Sequence, residues 1–389
     1  MPHPYRIDDL DGSIAASAAT LSRDVLARHA SEVDASGRFP RESIDALSGA
    51  GLLGLTVPVA HGGRGEGMRA YAAVTEELAT ACGSTAMIYV MHVAASAAIA
   101  SGTGLGGRDD LLAEIAAGRH LTSLAFSERG SRSHFWAPVS QLELNGAGFR
   151  VRAQKSWVTS AHHAHSYVAS AQKPGAASPL ESTVYLVRRD APGVTVTGAF
   201  EGLGLRGNDS APVAFADVKV GAGDLISPLG DGATTMLTVV LPWFSVGTAA
   251  MSNGLCRAAV AATAGHLVGT GFEHTGTQLR DLPTLRARLA EMAVRTEQSR
   301  ALLGHTLDHL ESGSEAAPLY VLQARLAALQ AASDVTDLAM KACGGAAFSK
   351  HLAIERIFRD ARAGWVMAPT VDHLLEFSGR ALTGLPLFE

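Results

Sequence analysis

The spacing of apolar residues changes twice along this chain, and these changes constrain its fold more than any other feature. Up to about residue 120, apolar residues recur every three to four positions, which is the period of an α-helix. From Leu121 the period becomes two, in short runs separated by turn residues such as Asn145-Gly146, and this pattern indicates β-strands. From about Gly230 the helical period returns. The chain is therefore predicted to have an α+β fold.

Three domains follow from these changes. They are an N-terminal α-helical domain (residues 1–120), a small central β-barrel or β-sandwich domain (121–225) and a C-terminal four-helix bundle (226–389). The predicted strands are Leu121–Phe126, Gln141–Leu144, Phe149–Ala153, Tyr167–Ala171, Thr183–Arg188, Val194–Val196 and Val213–Val218. The predicted helices of the bundle are Ala233–His266, Leu285–Gly313, Ala316–Ala342 and Ala353–Leu382.

Charge and cysteine content argue against several classes of partner. A formal net charge of -5 gives no electrostatic reason to expect nucleic acid or an anionic membrane surface. The cysteines Cys82, Cys256 and Cys343 are too scattered for a disulfide framework, and they have no metal-type spacing. No metal site is therefore predicted.

Two long uncharged runs, residues 78–107 and 232–256, exceed the length of a membrane-spanning helix. Gly, Ser and Thr dilute both runs, and no Lys/Arg-rich flanks set an orientation. We predict helices buried inside a domain or at a subunit interface, and no membrane span. Because the first residues lack the apolar core of a secretory signal, a cytoplasmic location is expected.

The chain lacks the glycine-rich turns of the common nucleotide-binding folds. The run Gly202–Gly207 is rich in glycine, but predicted strands flank it on both sides, whereas a dinucleotide fingerprint joins a strand to a helix. Two strand ends offer another way to hold a flat ring such as an isoalloxazine. Trp157 supplies an apolar wall and Thr159 a hydrogen-bond donor. Taken alone, each segment would more often be an ordinary strand end.

Several segments, in order, resemble the acyl-CoA dehydrogenase superfamily of flavoproteins. Residues 127–133 are similar to the family's Thr-Glu-Pro-Gly-Ala-Gly-Ser-Asp, and residues 155–160 to its Lys-x-Trp-Ile-Thr-Asn. The loop 51–65 and the segment 203–217 resemble two further motifs. Residues 344–370 resemble the C-terminal signature, in which a Gly-Gly pair, an Arg-Asp-Ala-Lys/Arg segment and a Glu-Gly-Thr follow one another.

This resemblance implies FAD as the cofactor and a small-molecule substrate, a CoA thioester. It also implies a homodimer or homotetramer, since the family's FAD site is shared across a subunit interface. Gly344 and Gly345 would approach the adenine half of a neighbouring subunit's FAD, and Thr370 and Asp372 match positions that contact the same half. The implied FAD-binding residues are Phe126, Ser127, Ser133, Trp157, Thr159, Gly344, Gly345, Thr370 and Asp372.

The chain differs from the family at the position of the family's catalytic base, which is a glutamate. Ala368 falls on the catalytic glutamate, and alanine cannot abstract the α-proton of an acyl thioester. Some members carry the base on the helix that opens the bundle, but residues 239–247 contain no carboxylate here. Arg132 and His134 replace small and acidic residues of a family turn. With Trp243 they are candidate substrate contacts.

His92 is the remaining candidate for a catalytic residue. By the resemblance it lies on a helix that lines the substrate cavity, and monooxygenases with this fold often place a working histidine nearby. The alternative is a histidine whose hydrogen bonds are satisfied inside the core, which is the usual state of a lone histidine on an apolar helix.

Three functions remain open from the sequence. The first is an FAD-dependent oxidoreductase that acts on an acyl-CoA or related thioester by a non-standard mechanism. The second is a flavin-dependent monooxygenase on the same fold, which uses reduced flavin and oxygen and needs no glutamate. The third is a non-catalytic subunit that binds flavin or CoA, against which the retained Ser127, Trp157 and Thr159 argue.

Overall fold

The computed structural model describes residues 3–6 and 12–387 and confirms the α+β class. Residues 1, 2, 7–11, 388 and 389, which the sequence assigns to the terminal domains, lie outside the described part. The first helices are α1 (Gly12–Leu21), α2 (Ala27–Ser36), α3 (Arg41–Gly49), α4 (Met68–Ala81), α5 (Gly83–Ser101) and α6 (Arg108–Ala116). A π-helical turn, Ser22–Leu26, joins α1 to α2.

Every predicted strand is present, and together the strands form two sheets. They are β1 (Thr122–Ala125), β2 (Leu142–Asn145), β3 (Gly148–Val158), β4 (Ser166–Gln172), β5 (Ser182–Arg188), β6 (Val194–Val196) and β7 (Ala211–Val220). One sheet has the order β1-β4-β5, with β1 and β4 parallel, and the other is antiparallel with the order β2-β3-β7-β6. A shared apolar core that includes Tyr167 and Phe215 packs between them.

The C-terminal helices pack around α8 and α10. They are α7 (Gly232–Thr235), α8 (Leu241–Gly269), α9 (Pro283–Glu311), α10 (Ala317–Cys343), α11 (Gly345–Phe348), α12 (Ile354–Val366) and α13 (Val371–Leu382). A π-helical turn, Met236–Val240, makes α7 and α8 continuous, as the sequence predicts for this segment. Residues of α8, α9 and α10 share a buried core with α12.

The prediction of one helix over Ala353–Leu382 was wrong. Helix α12 ends at Val366, and Met367 is extended with φ -73° and ψ 129°. Pro369 has no N–H group, and its ring collides with the preceding turn of a helix, so the helix cannot run through it. Helix α13 begins after Thr370, whose side chain accepts a hydrogen bond from the backbone N–H of His373.

Two helical segments are long and apolar enough to cross a membrane, namely α5 and residues 232–269. In α5, 83% of the most apolar window is buried within the chain, and in the second segment 50% is buried. Helix α5 is therefore a core helix, as the sequence analysis expects for this run.

Helix α12 connects the three parts of the chain. The carboxylate of Asp360 accepts a hydrogen bond of 2.6 Å from the backbone N–H of Leu205, in the loop before β7. The adjacent Arg359 forms an ion pair of 2.6 Å with Asp34 of α2. Asp360 and Asp34 are buried, so α12 fixes the positions of the first helices and of the β region relative to the bundle.

Candidate active site

A cavity of about 800 Å³ lies where the β region meets α5, α8 and α12. Its walls come from parts of the chain that are far apart in sequence. They include Met87 and Met91 of α5, residues 126–133 after β1, Ser156, Trp157 and Thr159, Leu241 and Phe244 of α8, and residues 366–368 at the end of α12. Most of the wall is apolar, which suits a site that excludes water from a ligand.

Trp157 forms part of the β wall of the cavity. Its side chain is exposed, with 69% of its surface accessible, although tryptophan normally buries most of its area. The register of β3 against β7 shifts between Lys155 and Val158, and Trp157 has a left-handed backbone with φ 57°. This irregularity turns the indole out of the ladder. Phe200 packs edge-on against it at 6.5 Å, which leaves the indole as a flat surface for a ring-shaped ligand.

Hydroxyl groups lie beside this tryptophan. The Thr159 hydroxyl is 3.0 Å from that of Ser210, and both residues are buried and line the cavity. Ser127 also lines it, and its carbonyl accepts a hydrogen bond of 2.8 Å from the Ser156 N–H, which joins the two predicted segments. Of the predicted FAD-binding residues, the structure brings together Phe126, Ser127, Ser133, Trp157 and Thr159.

A buried ion pair supports this wall from behind. The Lys155 ammonium lies 2.6 Å from the Glu128 carboxylate and donates a second hydrogen bond to the carbonyl of Ser170. Glu128 also accepts hydrogen bonds from the backbone N–H groups of Val139 and Ser140, each 2.7 Å long. Burial by itself would raise the pKa of Glu128, but Lys155 and Ser140 outweigh it and lower that pKa. The Glu128 carboxylate is therefore held in structural contacts and is not available as a catalytic base.

The cavity wall is apolar at Ala368 and in the segment 239–247, which the sequence analysis matches to the two places of the family's base. Ala368 lines the cavity after α12, and Phe244, within the segment 239–247, lines it on α8. Among the described residues of the lining, only Glu128 and Glu201 carry carboxylates. Because Glu128 is paired and Glu201 is exposed in the loop before β7, no buried carboxylate is available for proton transfer.

His92 lies in the core and outside the cavity lining. Its Nε2–H donates a hydrogen bond of 3.0 Å to the Leu53 carbonyl, and its Nδ1 accepts one of 3.2 Å from the Thr122 N–H. Burial lowers the pKa of this imidazole to about 4, so the ring is neutral at physiological pH. With both nitrogens engaged, the geometry favours the core-histidine alternative over a catalytic role.

The three candidate substrate contacts are not brought together. Arg132 lines the cavity, in a left-handed turn with φ 49°. His134 lies outside the lining, with its ring centroid 5.0 Å from that of His373. Trp243 packs against Tyr71 at a centroid distance of 5.5 Å, behind the wall that its neighbour Phe244 forms.

The residues assigned to the adenine half of FAD lie on another surface. Gly344 has φ 54° and ψ -131°, and a Cβ added at Gly344 or Gly345 would meet no atom within 4 Å. Thr370 caps α13 and Asp372 is exposed on its first turn. None of the four lines the cavity of its own chain, so their contact with FAD stays a prediction about a neighbouring copy.

One cation behind the cavity was missed by the sequence analysis. Arg325 of α10 is fully buried, and its Nη2 donates a hydrogen bond of 3.1 Å to the carbonyl of Met367. Its guanidinium carbon lies 4.8 Å from the centroid of the Phe244 ring. Within the described part of the chain, its Nε and Nη1 have no hydrogen-bond partner. No sequence signal marks it, since a lone arginine in an amphipathic helix usually faces solvent.

A helical region, a β region and a helical bundle that enclose an apolar cavity with an exposed tryptophan define the class of three-domain, flavin-dependent oxidoreductases. The chain belongs to the acyl-CoA dehydrogenase family. Models of the N-terminal, middle and C-terminal domains of acyl-CoA dehydrogenase match residues 11–119, 123–218 and 230–382. This membership confirms the resemblance seen in the sequence and, at the level of the family, FAD as the cofactor.

Comparisons with individual proteins are consistent with this family. The chain is 26% identical over 350 residues to a probable acyl-CoA dehydrogenase of Bacillus subtilis, YngJ, covering 88% of this chain and 90% of the relative. Its fold matches butyryl-CoA dehydrogenase from Megasphaera elsdenii with a TM-score of 0.89, 21% identity and coverage of 96% and 98%. It also matches PigA, solved with FAD and proline, with a TM-score of 0.88, 19% identity and coverage of 96% and 98%.

Proposed function

We propose that this protein is an FAD-dependent oxidoreductase that acts on an acyl-CoA or related thioester without a glutamate base. The single observation that carries the proposal is the chemistry of the cavity wall. The indole of Trp157 and the hydroxyls beside it suit the flavin, whereas the wall is apolar at Ala368 and at Phe244 of the segment 239–247, which the resemblance matches to the places of the family's base. The site therefore fits the cofactor and lacks the usual proton acceptor.

The residues present fit FAD. When bound, this cofactor accepts two electrons from the substrate. The exposed face of Trp157 would cover the flat ring, and the hydroxyls of Thr159 and Ser127, which line the same cavity, would hydrogen-bond with its polar edge. Arg129 and Arg132, both exposed at the cavity edge, provide positive charge for the pyrophosphate or for CoA phosphates.

The cavity wall opposite Trp157 suits an acyl group. Met87, Met91, Leu241 and Phe244 present apolar surface and exclude water from the reacting carbon. Since no side chain in this wall can take an α-proton, the substrate must be one that does not need such a base. A substrate that loses a group other than a proton meets this requirement.

A flavin-dependent monooxygenase is the second candidate function. The same apolar residues at positions 368 and 244 favour it, because oxygen chemistry at reduced flavin needs no carboxylate at these positions. His92 contributes little to either mechanism, since both of its nitrogens are engaged in the core.

The experiment that tests the proposal is anaerobic flavin spectroscopy. The purified protein with bound FAD is mixed with a series of acyl-CoA esters, and the oxidised flavin band is recorded. Bleaching by any ester supports a thioester oxidoreductase. No bleaching by any ester, together with substrate oxygenation after chemical reduction and admission of air, would replace the proposal with the monooxygenase. A protein that binds flavin or an ester but shows neither bleaching nor oxygenation would be a non-catalytic subunit.

A further inference from the structure

Arg325 is a buried positive charge that the fold leaves without a counter-charge. Its side chain is fully buried, and burial alone lowers the pKa of its guanidinium to about 9, with no charged partner contributing. Several other buried or half-buried arginines of the chain have such partners. Arg359 pairs with Asp34, and Arg300 pairs with Glu76. An unpaired buried charge is rare because the loss of hydration is not repaid.

The position of this charge relates it to the cavity. Its Nη2 holds the carbonyl of Met367, the residue before Ala368, and its guanidinium lies under the Phe244 ring. Met367, Ala368 and Phe244 all line the cavity. The guanidinium therefore lies one side chain behind the wall, next to Phe244 and to the residue that precedes Ala368.

The unsatisfied donors of Arg325 also match one type of ligand. Nε and Nη1 have no hydrogen-bond partner among the described residues. A guanidinium presents its N–H groups in a planar fork that fits the two oxygens of a carboxylate. Within the described part of the chain, neither α8 nor residues 366–368 supplies a carboxylate, so a ligand in the cavity is the source of an anion considered for this fork.

We propose that Arg325 recognises a carboxylate on the acyl group of the substrate, which occupies the space beside Ala368 that a glutamate would fill in a typical family member. This inference rests on the proposed function and narrows it to thioesters of short dicarboxylic acids. The Phe244 ring covers the guanidinium at 4.8 Å, so this contact requires that the Phe244 side chain rotate. The substrate then supplies the negative charge that the protein lacks, and Arg325 acts as a specificity residue.

The test compares binding of matched thioesters by the FAD-loaded protein without oxygen. Malonyl-CoA and succinyl-CoA carry a carboxylate, and propionyl-CoA and butyryl-CoA are their uncharged counterparts. Calorimetry and the perturbation of the flavin spectrum both report binding without turnover. A charge-assisted pair predicts that the wild-type protein binds at least one carboxylated ester about tenfold or more tightly than its counterpart.

Variants assign this preference to Arg325. Arg325→Met should reduce the preference to within about twofold, because the charge-assisted bond to the acyl carboxylate is lost. Arg325→Lys keeps the charge, so this variant should retain part of the preference for carboxylated esters. Arg295→Met is the matched control, since Arg295 is exposed on α9 and pairs with Asp334 away from the cavity. If Arg325→Met fails to fold, the lysine variant and the comparison of esters on the wild-type protein still test whether Arg325 causes the preference.

The outcomes separate this inference from the function it rests on. If butyryl-CoA binds and no carboxylated ester binds more tightly, the inference fails and the proposed function stands. A preference that survives in Arg325→Met also overturns it. Binding of free succinate at the same affinity as succinyl-CoA would show a site for small anions and overturn the assignment to an acyl group. If no thioester binds at all, both proposals fail.

Discussion

The ammonium group of Lys155 lies 2.6 Å from the carboxylate of Glu128, and both side chains are almost completely removed from solvent. The two residues belong to the two segments that form the β wall of the cavity. Glu128 follows Ser127 after β1, and Lys155 is two residues before Trp157 on β3. The ion pair therefore sets the distance between the hydroxyl and the indole that are assigned to the flavin.

Replacing Lys155 with Met should destabilise the protein and empty the flavin site. The change leaves the Glu128 carboxylate buried without its cation, which typically costs about 3–5 kcal/mol. Thermal unfolding and the ratio of flavin to protein absorbance measure both effects. The double variant Glu128→Gln/Lys155→Met should recover much of the stability, since it removes both charges. A double variant no more stable than the single one would contradict this account.

Removing the indole of Trp157 should weaken flavin binding more than it affects folding. The side chain is 69% exposed and therefore contributes little to the core, but its face is the flat wall of the cavity. Loss of one aromatic stack predicts an affinity about tenfold lower in Trp157→Ala, with Phe at this position intermediate. Trp365→Ala is the control, because this half-exposed tryptophan of α12 lies outside the cavity lining. Equal flavin content in the two alanine variants would remove Trp157 from the site.

Replacing His92 with Gln should change how the stability of the protein depends on pH and should leave turnover unchanged. Burial lowers the pKa of His92 to about 4, compared with 6.5 for an ordinary histidine, so folding favours the neutral ring. The neutral ring contributes its full share to the free energy of unfolding above pH 6.5. This share is lost as the pH falls towards 4, and the total loss is about 3 kcal/mol. In His92→Gln the free energy of unfolding should depend less steeply on pH over this range.

The comparison with the wild-type protein isolates this effect. Burial raises the pKa of Asp360 to about 7, and this group acts in the opposite direction, because its contribution to stability decreases as the pH rises towards 7. Asp360 is present in both proteins, so its contribution cancels in the difference. Turnover of His92→Gln should stay within about twofold, whereas loss of a catalytic base would reduce it 100-fold or more. A large loss of turnover with unchanged stability would restore the catalytic interpretation.

Restoring the missing carboxylate should create ordinary dehydrogenase activity. Ala368 is half-buried in the cavity wall, so Ala368→Glu places a carboxylate beside the substrate. General-base catalysis typically contributes about 10²–10⁴-fold, and reduction of the flavin by butyryl-CoA should accelerate within this range. Ala363→Glu serves as the control, since Ala363 also lines the cavity but lies one turn earlier on α12. Equal acceleration in both variants would show that position 368 is not the place of the base.

The β region was predictable because local rules determine it. Strands with a period of two, bounded by turns such as Asn145-Gly146, need no long-range information to be found. The exposed face of Trp157 was predictable from the motif that contains it. The break between α12 and α13 was missed because apolar residues continue at helical spacing on both sides of Pro369.

The charges inside the protein were not predictable in the same way. Lys155 and Arg325 look like ordinary surface residues in the sequence, but the structure buries both completely. Their burial depends on partners far away in the chain, such as Glu128 for Lys155 and Met367 for Arg325. The role of His92 depended on its contacts to Leu53 and Thr122, which only the packed structure reveals.

The contacts of α12 have a consequence for how the protein is made. Asp360 and Arg359 hold the loop before β7 and helix α2, which a ribosome synthesises much earlier. Until residues 354–368 have emerged, a nascent chain can form its sheets, but the side of the apolar cavity that Ala363, Met367 and Ala368 line stays open. Such surfaces are the ones that chaperones shield and that aggregate when left uncovered. The cavity can be enclosed only after synthesis has passed this helix, so we expect flavin insertion to follow the synthesis of α12.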